Sequence, residues 1–152
     1  MKRRAELLSK ITKIGRSAPP PRMDGPLGQR LAQVNKEMDR LLEKRDIGSE
    51  FEALYWENHG IQKTIVDRNF EAYELERRGN IRKAIMLYEL NVDDEVDMPF
   101  PYERLAAIYG KCRQFDDEVR ILEKAAKTFP EDEKLRIQLE KAKAEKVRES
   151  TS

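Results

Sequence analysis

Catalysis needs particular side chains within reach of one another, and this chain supplies few of them. It has one histidine, His59, and one cysteine, Cys112. A lone imidazole lacks the orienting group and the nucleophile that acid–base or covalent catalysis requires, so His59 reads as a turn or surface residue. Cys112 stands between Lys111 and Arg113, but a single thiol permits neither an intramolecular disulfide nor a cysteine-based zinc site. The carboxylates Asp93, Asp94, Glu95 and Asp97 of NVDDEVDM suggest calcium at first sight. They lack the glycine and the twelfth-position glutamate of an EF-hand loop, which makes a solvated loop the better reading. No catalytic residue, metal ligand or cofactor is therefore assigned, and a non-enzymatic role is expected.

Charge is the other available chemistry. Thirty basic and twenty-nine acidic side chains nearly cancel, yet residues 1–45 hold twelve Lys/Arg against five Asp/Glu, and residues 46–100 hold six against thirteen. Opposed blocks of this kind attract each other or recruit a charged partner. Lys2, Arg3, Arg4, Lys10, Lys13 and Arg16 form a basic arm, with three readings open: a solubilising tail, a nucleic-acid contact, and a helix that binds a partner or a membrane surface. No aromatic interleaves these charges, which weakens any case for stacking on single-stranded bases. No stretch reaches the roughly 18 apolar residues of a membrane span, and cysteine usage fits a reducing, cytoplasmic setting.

The elements that position these groups are helical. Leu7, Leu8, Ile11 and Ile14 give Met1–Ile14 a helical stripe, and the Pro/Gly-rich stretch GRSAPPPRMDGPLG after it predicts a linker, so residues 1–29 read as a flexible arm. Leu31, Val34, Met38 and Leu41 predict an amphipathic helix within 30–48, a spacing shared by about two heptads of a coiled coil. Ser49 and Glu52 form a capping box for the next helix. His59-Gly60 is expected to end or kink that helix, and Ile61, Ile65, Val66, Phe70 and Tyr73 to continue an apolar stripe to Arg77 or Arg78, with the turn at Gly79-Asn80. All eleven aromatics lie between Phe51 and Phe129, which places the core there.

Self-comparison at a shift of 34 residues aligns Ala72 with Ala106, Leu75 with Tyr109, Ile81 with Phe115, Ile85 with Val119 and Tyr88 with Leu122. Two helix–turn–helix units in register follow, each too small to bury its apolar face without a neighbour. Residues 99–132 carry Tyr102, Leu105, Ala106, Tyr109, Phe115, Ala125 and Pro130, and on these residues the chain resembles the tetratricopeptide repeat family. Residues 65–98 match more loosely, through Ala72, Leu75, Gly79, Asn80, Ile81, Ala84, Ile85 and Tyr88. Three positions depart from the family pattern: Glu118 replaces a small alanine, Arg113 the turn glycine, and Asn91 a later alanine. Residues 133–149 look like a capping helix.

The resemblance implies an all-α, short α-solenoid of helix–turn–helix repeats over 49–149, with additional N-terminal helices. It also implies a groove lined by the first helix of each repeat. Carried over by position, the groove contains Asn69, Tyr73, Arg77, Glu103, Ala107 and Lys111. The expected function is a protein–protein interaction module that binds a partner peptide or protein there. Two alternatives are a nucleic-acid-associated regulator acting through the basic arm, and a homodimeric structural protein whose groove is self-filled.

Overall fold

The computed structural model describes residues 26–151. Lys2, Arg3, Arg4, Lys10, Lys13 and Arg16, with the expected helix Met1–Ile14 and most of the linker, lie outside the described residues. Among the described residues the chain is all-α, with six helices and no strand: α1 (Leu27–Glu43), α2 (Ser49–Arg77), α3 (Ile81–Asp93), α4 (Phe100–Lys111), α5 (Phe115–Thr128) and α6 (Glu133–Thr151). None of them is long and apolar enough to cross a membrane.

The chain divides into two compact units, one made of residues up to Arg68 together with Asp94–Val96, the other of Asn69–Asp93 and the residues from Asp97 on. In the first, α1 and the start of α2 form an antiparallel hairpin. Arg30 near the start of α1 binds Glu57 through two bonds of 2.6 and 2.9 Å, and Arg40 near its end lies 3.8 Å from Glu50. Leu27, Val34, Leu41, Ile61 and Ile65 are buried there.

The segment Asp94–Val96 anchors the start of α1. The Gly28 N–H donates to the Asp94 carbonyl at 2.6 Å, the Leu27 N–H to the Asp94 carboxylate at 3.3 Å, and the Gln29 amide to Glu95 at 2.6 Å. Asp94 also pairs with Arg68, and Val96 is fully buried. Asp94 is thus a tether within the acidic stretch, while Asp93, Glu95 and Asp97 are exposed as expected from its composition. The Asp94 carboxylate and carbonyl together take up two of the free backbone amides of the helix N-terminus, and the carboxylate places negative charge at the positive end of the helix dipole.

In the second unit α3 packs on α4, α4 on α5 and α5 on α6. Tyr88, Tyr102, Leu105, Ile121, Leu122 and Leu135 are fully buried, and Ala72, Ala84 and Ala125 supply the small contacts that let helices approach. Tyr102 meets the edge of Phe129 with ring centroids 5.6 Å apart.

Two sequence expectations are corrected. His59-Gly60 does not interrupt α2, which runs unbroken for 29 residues. A glycine inside a helix costs about 1 kcal/mol, and the burial of Ile61 and Ile65 just beyond Gly60 exceeds that. The helix starts at Ser49, where the Glu52 N–H donates to the Gly48 carbonyl at 3.1 Å, one residue ahead of the expected cap.

The turns carry the 34-residue period further back along the chain than the self-comparison does. Arg45, Gly79 and Arg113 all have left-handed backbones, with φ of 56°, 84° and 58°. Each closes a helix with the same bond pair. Asp46 N–H reaches Leu41 O and Arg45 N–H reaches Leu42 O; Asn80 reaches Leu75 and Gly79 reaches Glu76; Gln114 reaches Tyr109 and Arg113 reaches Gly110, all at 2.8 to 3.1 Å. This is the Schellman arrangement, and the three residues are spaced by 34. The period therefore extends back through residues 31–64, where Leu41, Ile47, Phe51 and Leu54 precede Leu75, Ile81, Ile85 and Tyr88 in the same register.

Glu118, the misfit at a small-residue position, is accommodated from the facing helix. A Cβ on Gly110 would stand 2.9 Å from a Glu118 carboxylate oxygen, so the missing side chain is what makes room. One period earlier the same two positions hold Glu76 and Ala84. The carboxylate has changed helix, and the small residue has changed with it.

Candidate functional site

Helical spacing puts Phe70, Tyr73 and Arg77 on one face of α2. Phe70 is 69% exposed and Tyr73 41%. Phe100, at the start of α4 and 37% exposed, lies 6.2 Å from Tyr73 between ring centroids and meets Tyr88 edge-on at 6.0 Å. The result is a ledge of three partly bare aromatic rings on two neighbouring helices. Of the groove residues expected from the sequence, Tyr73, Arg77, Ala107 and Lys111 are exposed and Glu103 is half-buried. Asn69 is the exception, at 6% exposure. Its amide accepts from Asn91 at 2.8 Å and donates to the Met98 sulfur at 2.9 Å, so both ends of the group are used inside the unit. Asn69 is a packing residue, and Asn91, where an alanine was expected, is its partner.

The ledge stands on a repeated polar frame. Glu76 of α2 accepts the Tyr88 hydroxyl of α3 at 3.1 Å and the Arg104 guanidinium of α4, whose Nε lies 3.1 Å away. Glu89 of α3 accepts the Tyr109 hydroxyl of α4 at 2.5 Å and Arg120 of α5 at 2.5 Å. In both clusters a glutamate, a tyrosine and an arginine come from three successive helices, and the second cluster is moved on by one helix. Burial, then the adjacent carboxylate, pushes the Tyr88 and Tyr109 hydroxyls well above their ordinary range. Burial opposes ionisation of Glu89, but bonds from Arg120 and Tyr109 outweigh it and hold the carboxyl below its usual value. Hydrogen bonding to Glu76 and Glu89 raises Arg104 and Arg120 further. Charge-assisted bonds of this kind are about twice as strong as neutral ones and fix geometry. The pairs Tyr73–Phe100 and Glu76–Arg104 advance together along α2 and α4, so these two helices run parallel.

The remaining chemistry-bearing residues stay apart. His59 packs half-buried against Tyr55, centroids 4.3 Å apart, with Trp56 at 6.2 Å. Cys112 is exposed at the end of α4. Among the described residues no group of three or more His, Cys, Asp or Glu could hold a metal ion. The Glu118 carboxyl has no hydrogen-bond partner among the described residues, and burial pushes its pKa up.

Sequence reasoning placed the aromatics in the core and so missed Phe70 and Phe100. The buried line of α2 is Ile61, Ile65, Asn69 and Ala72, and Phe70 and Tyr73 lie off that line. The signal was available in the alignment of Ala72 with Ala106, because the small residues mark which side of the helix faces its neighbour. Against known protein families, curated proteins and solved structures, the chain finds no match.

Proposed function

We propose that the chain is a non-catalytic protein-interaction module whose 34-residue units are tetratricopeptide-like, and that a partner segment docks on the face formed by α2 and α4. The ledge of Phe70, Tyr73 and Phe100 carries this reading, because contiguous exposed aromatics on a rigid frame offer anchoring area at little entropic cost. Tyr73, Arg77, Glu103, Ala107 and Lys111 border it and supply polar contacts. A non-covalent role agrees with the scatter of His59 and Cys112, and a free exposed thiol suits a reducing, cytoplasmic setting.

The test is a tagged pull-down from nuclease-treated native lysate, comparing the wild-type chain with Tyr73→Ala/Lys111→Glu by mass spectrometry. Specific proteins that survive nuclease and are lost from the variant support the module. Identical recovery by the two chains sinks it.

A further inference from the structure

The turn between α2 and α3 carries four cations within seven residues, Arg77, Arg78, Arg82 and Lys83, and no acidic side chain occurs from Arg77 to Tyr88. All four are exposed. Arg77 lies 3.4 Å from Glu74, whereas Arg78, Arg82 and Lys83 form no ion pair among the described residues. Elsewhere in this unit most cations are neutralised locally: Arg104 by Glu76, Arg113 by Glu149, Arg120 by Glu89, Arg136 by Glu133 and Lys146 by Asp116. One period later the positions of Arg82 and Lys83 hold Asp116 and Asp117. The charges of Arg82 and Lys83 therefore belong to this one turn, whereas the Arg77 position stays basic as Lys111 one period later. It adjoins the aromatic ledge, since Arg77 lies one helical turn beyond Tyr73 on the same face.

We infer that the partner of this face is an acidic peptide segment, with an aromatic or aliphatic anchor seated on Phe70, Tyr73 and Phe100 and carboxylates or phosphates lying over Arg77, Arg78, Arg82 and Lys83. The inference rests on the interaction reading above and names the chemistry of the partner. A single-stranded nucleic acid also combines anionic charge with stacking, but it needs free ring faces. Here Tyr73 and Phe100 turn towards each other at an interplanar angle of 59°, and Phe100 gives an edge contact to Tyr88. Tyr73 and Phe100, used in this way, offer rims to an apolar side chain and little flat surface to a base, which leaves Phe70 as a single face where successive bases would need several. The cations also occupy one tight turn, which matches a short run of acidic side chains better than a backbone that spaces its phosphates along a track.

The experiment pans a random twelve-residue peptide display library on the full chain and on Arg78→Glu/Arg82→Glu. Retention of a random single-stranded 20-mer oligonucleotide is measured in parallel. The wild-type chain should enrich peptides with net negative charge around an aromatic or aliphatic residue. Reversing two rim charges should weaken a resynthesised winner by roughly tenfold at low salt, with the difference shrinking as salt rises. A milder variant, Arg82→Gln/Lys83→Gln, gives the same direction with less risk to folding, and unchanged circular dichroism certifies both variants. If enriched peptides are neutral and bind both chains equally, the acidic assignment is overturned while the interaction reading stands. If no peptide is enriched, both readings fall. Retention of the oligonucleotide by the wild type alone, without peptide enrichment, would make the turn a nucleic-acid contact and overturn the assignment.

Discussion

Replacing Gly28 with alanine tests the tether between α1 and Asp94–Val96. A Cβ at this position would lie 2.1 Å from the Glu95 carbonyl oxygen and 2.7 Å from that of Asp94. Both are backbone atoms, so no side chain can rotate out of the way and the helix must withdraw by about 1 Å to restore van der Waals contact. Withdrawal stretches the Gly28 N–H bond to Asp94 and strains those of Leu27 and Gln29. Overpacking of this kind costs about 1–3 kcal/mol, and the stretched Gly28 bond adds about 1 kcal/mol. Alanine's better helix propensity returns at most about 1 kcal/mol. The net expectation is a loss of about 1–3 kcal/mol, concentrated in α1. Urea unfolding followed by Trp56 fluorescence gives the value for the first unit, and amide exchange over residues 27–43 locates it. Gly48→Ala is the control, because its Cβ would meet nothing nearer than 3.4 Å. If Gly28→Ala is as stable as wild type and α1 keeps its exchange protection, the tether is not what holds the helix.

The Schellman turns make opposite predictions for two substitutions: Gly79→Ala should cost about 1 kcal/mol and Arg45→Gly should gain about 0.5–1 kcal/mol, because only glycine adopts the left-handed backbone freely; equal midpoints in thermal melts would refute this. Glu89→Gln should lower stability by about 1–3 kcal/mol at neutral pH. The Glu89 carboxyl is held below its ordinary 4.5, so its contribution is present above that pH and lost as pH falls; parallel urea melts across pH should show the gap between wild type and variant closing below 4.5. Glu118 has the opposite sign. Burial raises its carboxyl, so the native state favours the protonated form, and the stability this confers at acid pH is lost as pH rises. Glu118→Gln should therefore gain stability at neutral pH and lose that advantage in acid, which the same melts would register.

Helical periodicity was legible wherever the chain alternates one apolar stripe with one charged face, and the turn at Gly79 was visible because glycine advertises a left-handed backbone. Arg45 and Arg113 adopt the same backbone without that signal, which hid the earliest period. The continuity of α2 hid it further, because a helix that runs through a unit boundary erases the loop by which repeats are recognised. Asp94 could not be read as a helix anchor, since its partner lies 67 residues away and composition alone made the segment look solvated. For the candidate face, exposure of Tyr73 and Arg77 followed from spacing. Asn69 did not follow, because its burial depends on Asn91, a residue noted only as a departure from a pattern.

The exchange of glutamate between Glu76/Ala84 and Gly110/Glu118 has a bearing on how such a chain can change over generations. Recombination between neighbouring periods is an easy way to lengthen or shorten a repetitive gene. A crossover falling between the two helices of a period would pair Glu76 with Glu118, crowding two carboxylates into room made for one, or Gly110 with Ala84, leaving a gap. Only crossovers that carry both helices together keep the volumes matched. The two helices of each period are in this way locked to one another by a private pairing, and whole periods can be exchanged far more readily than they can be blended.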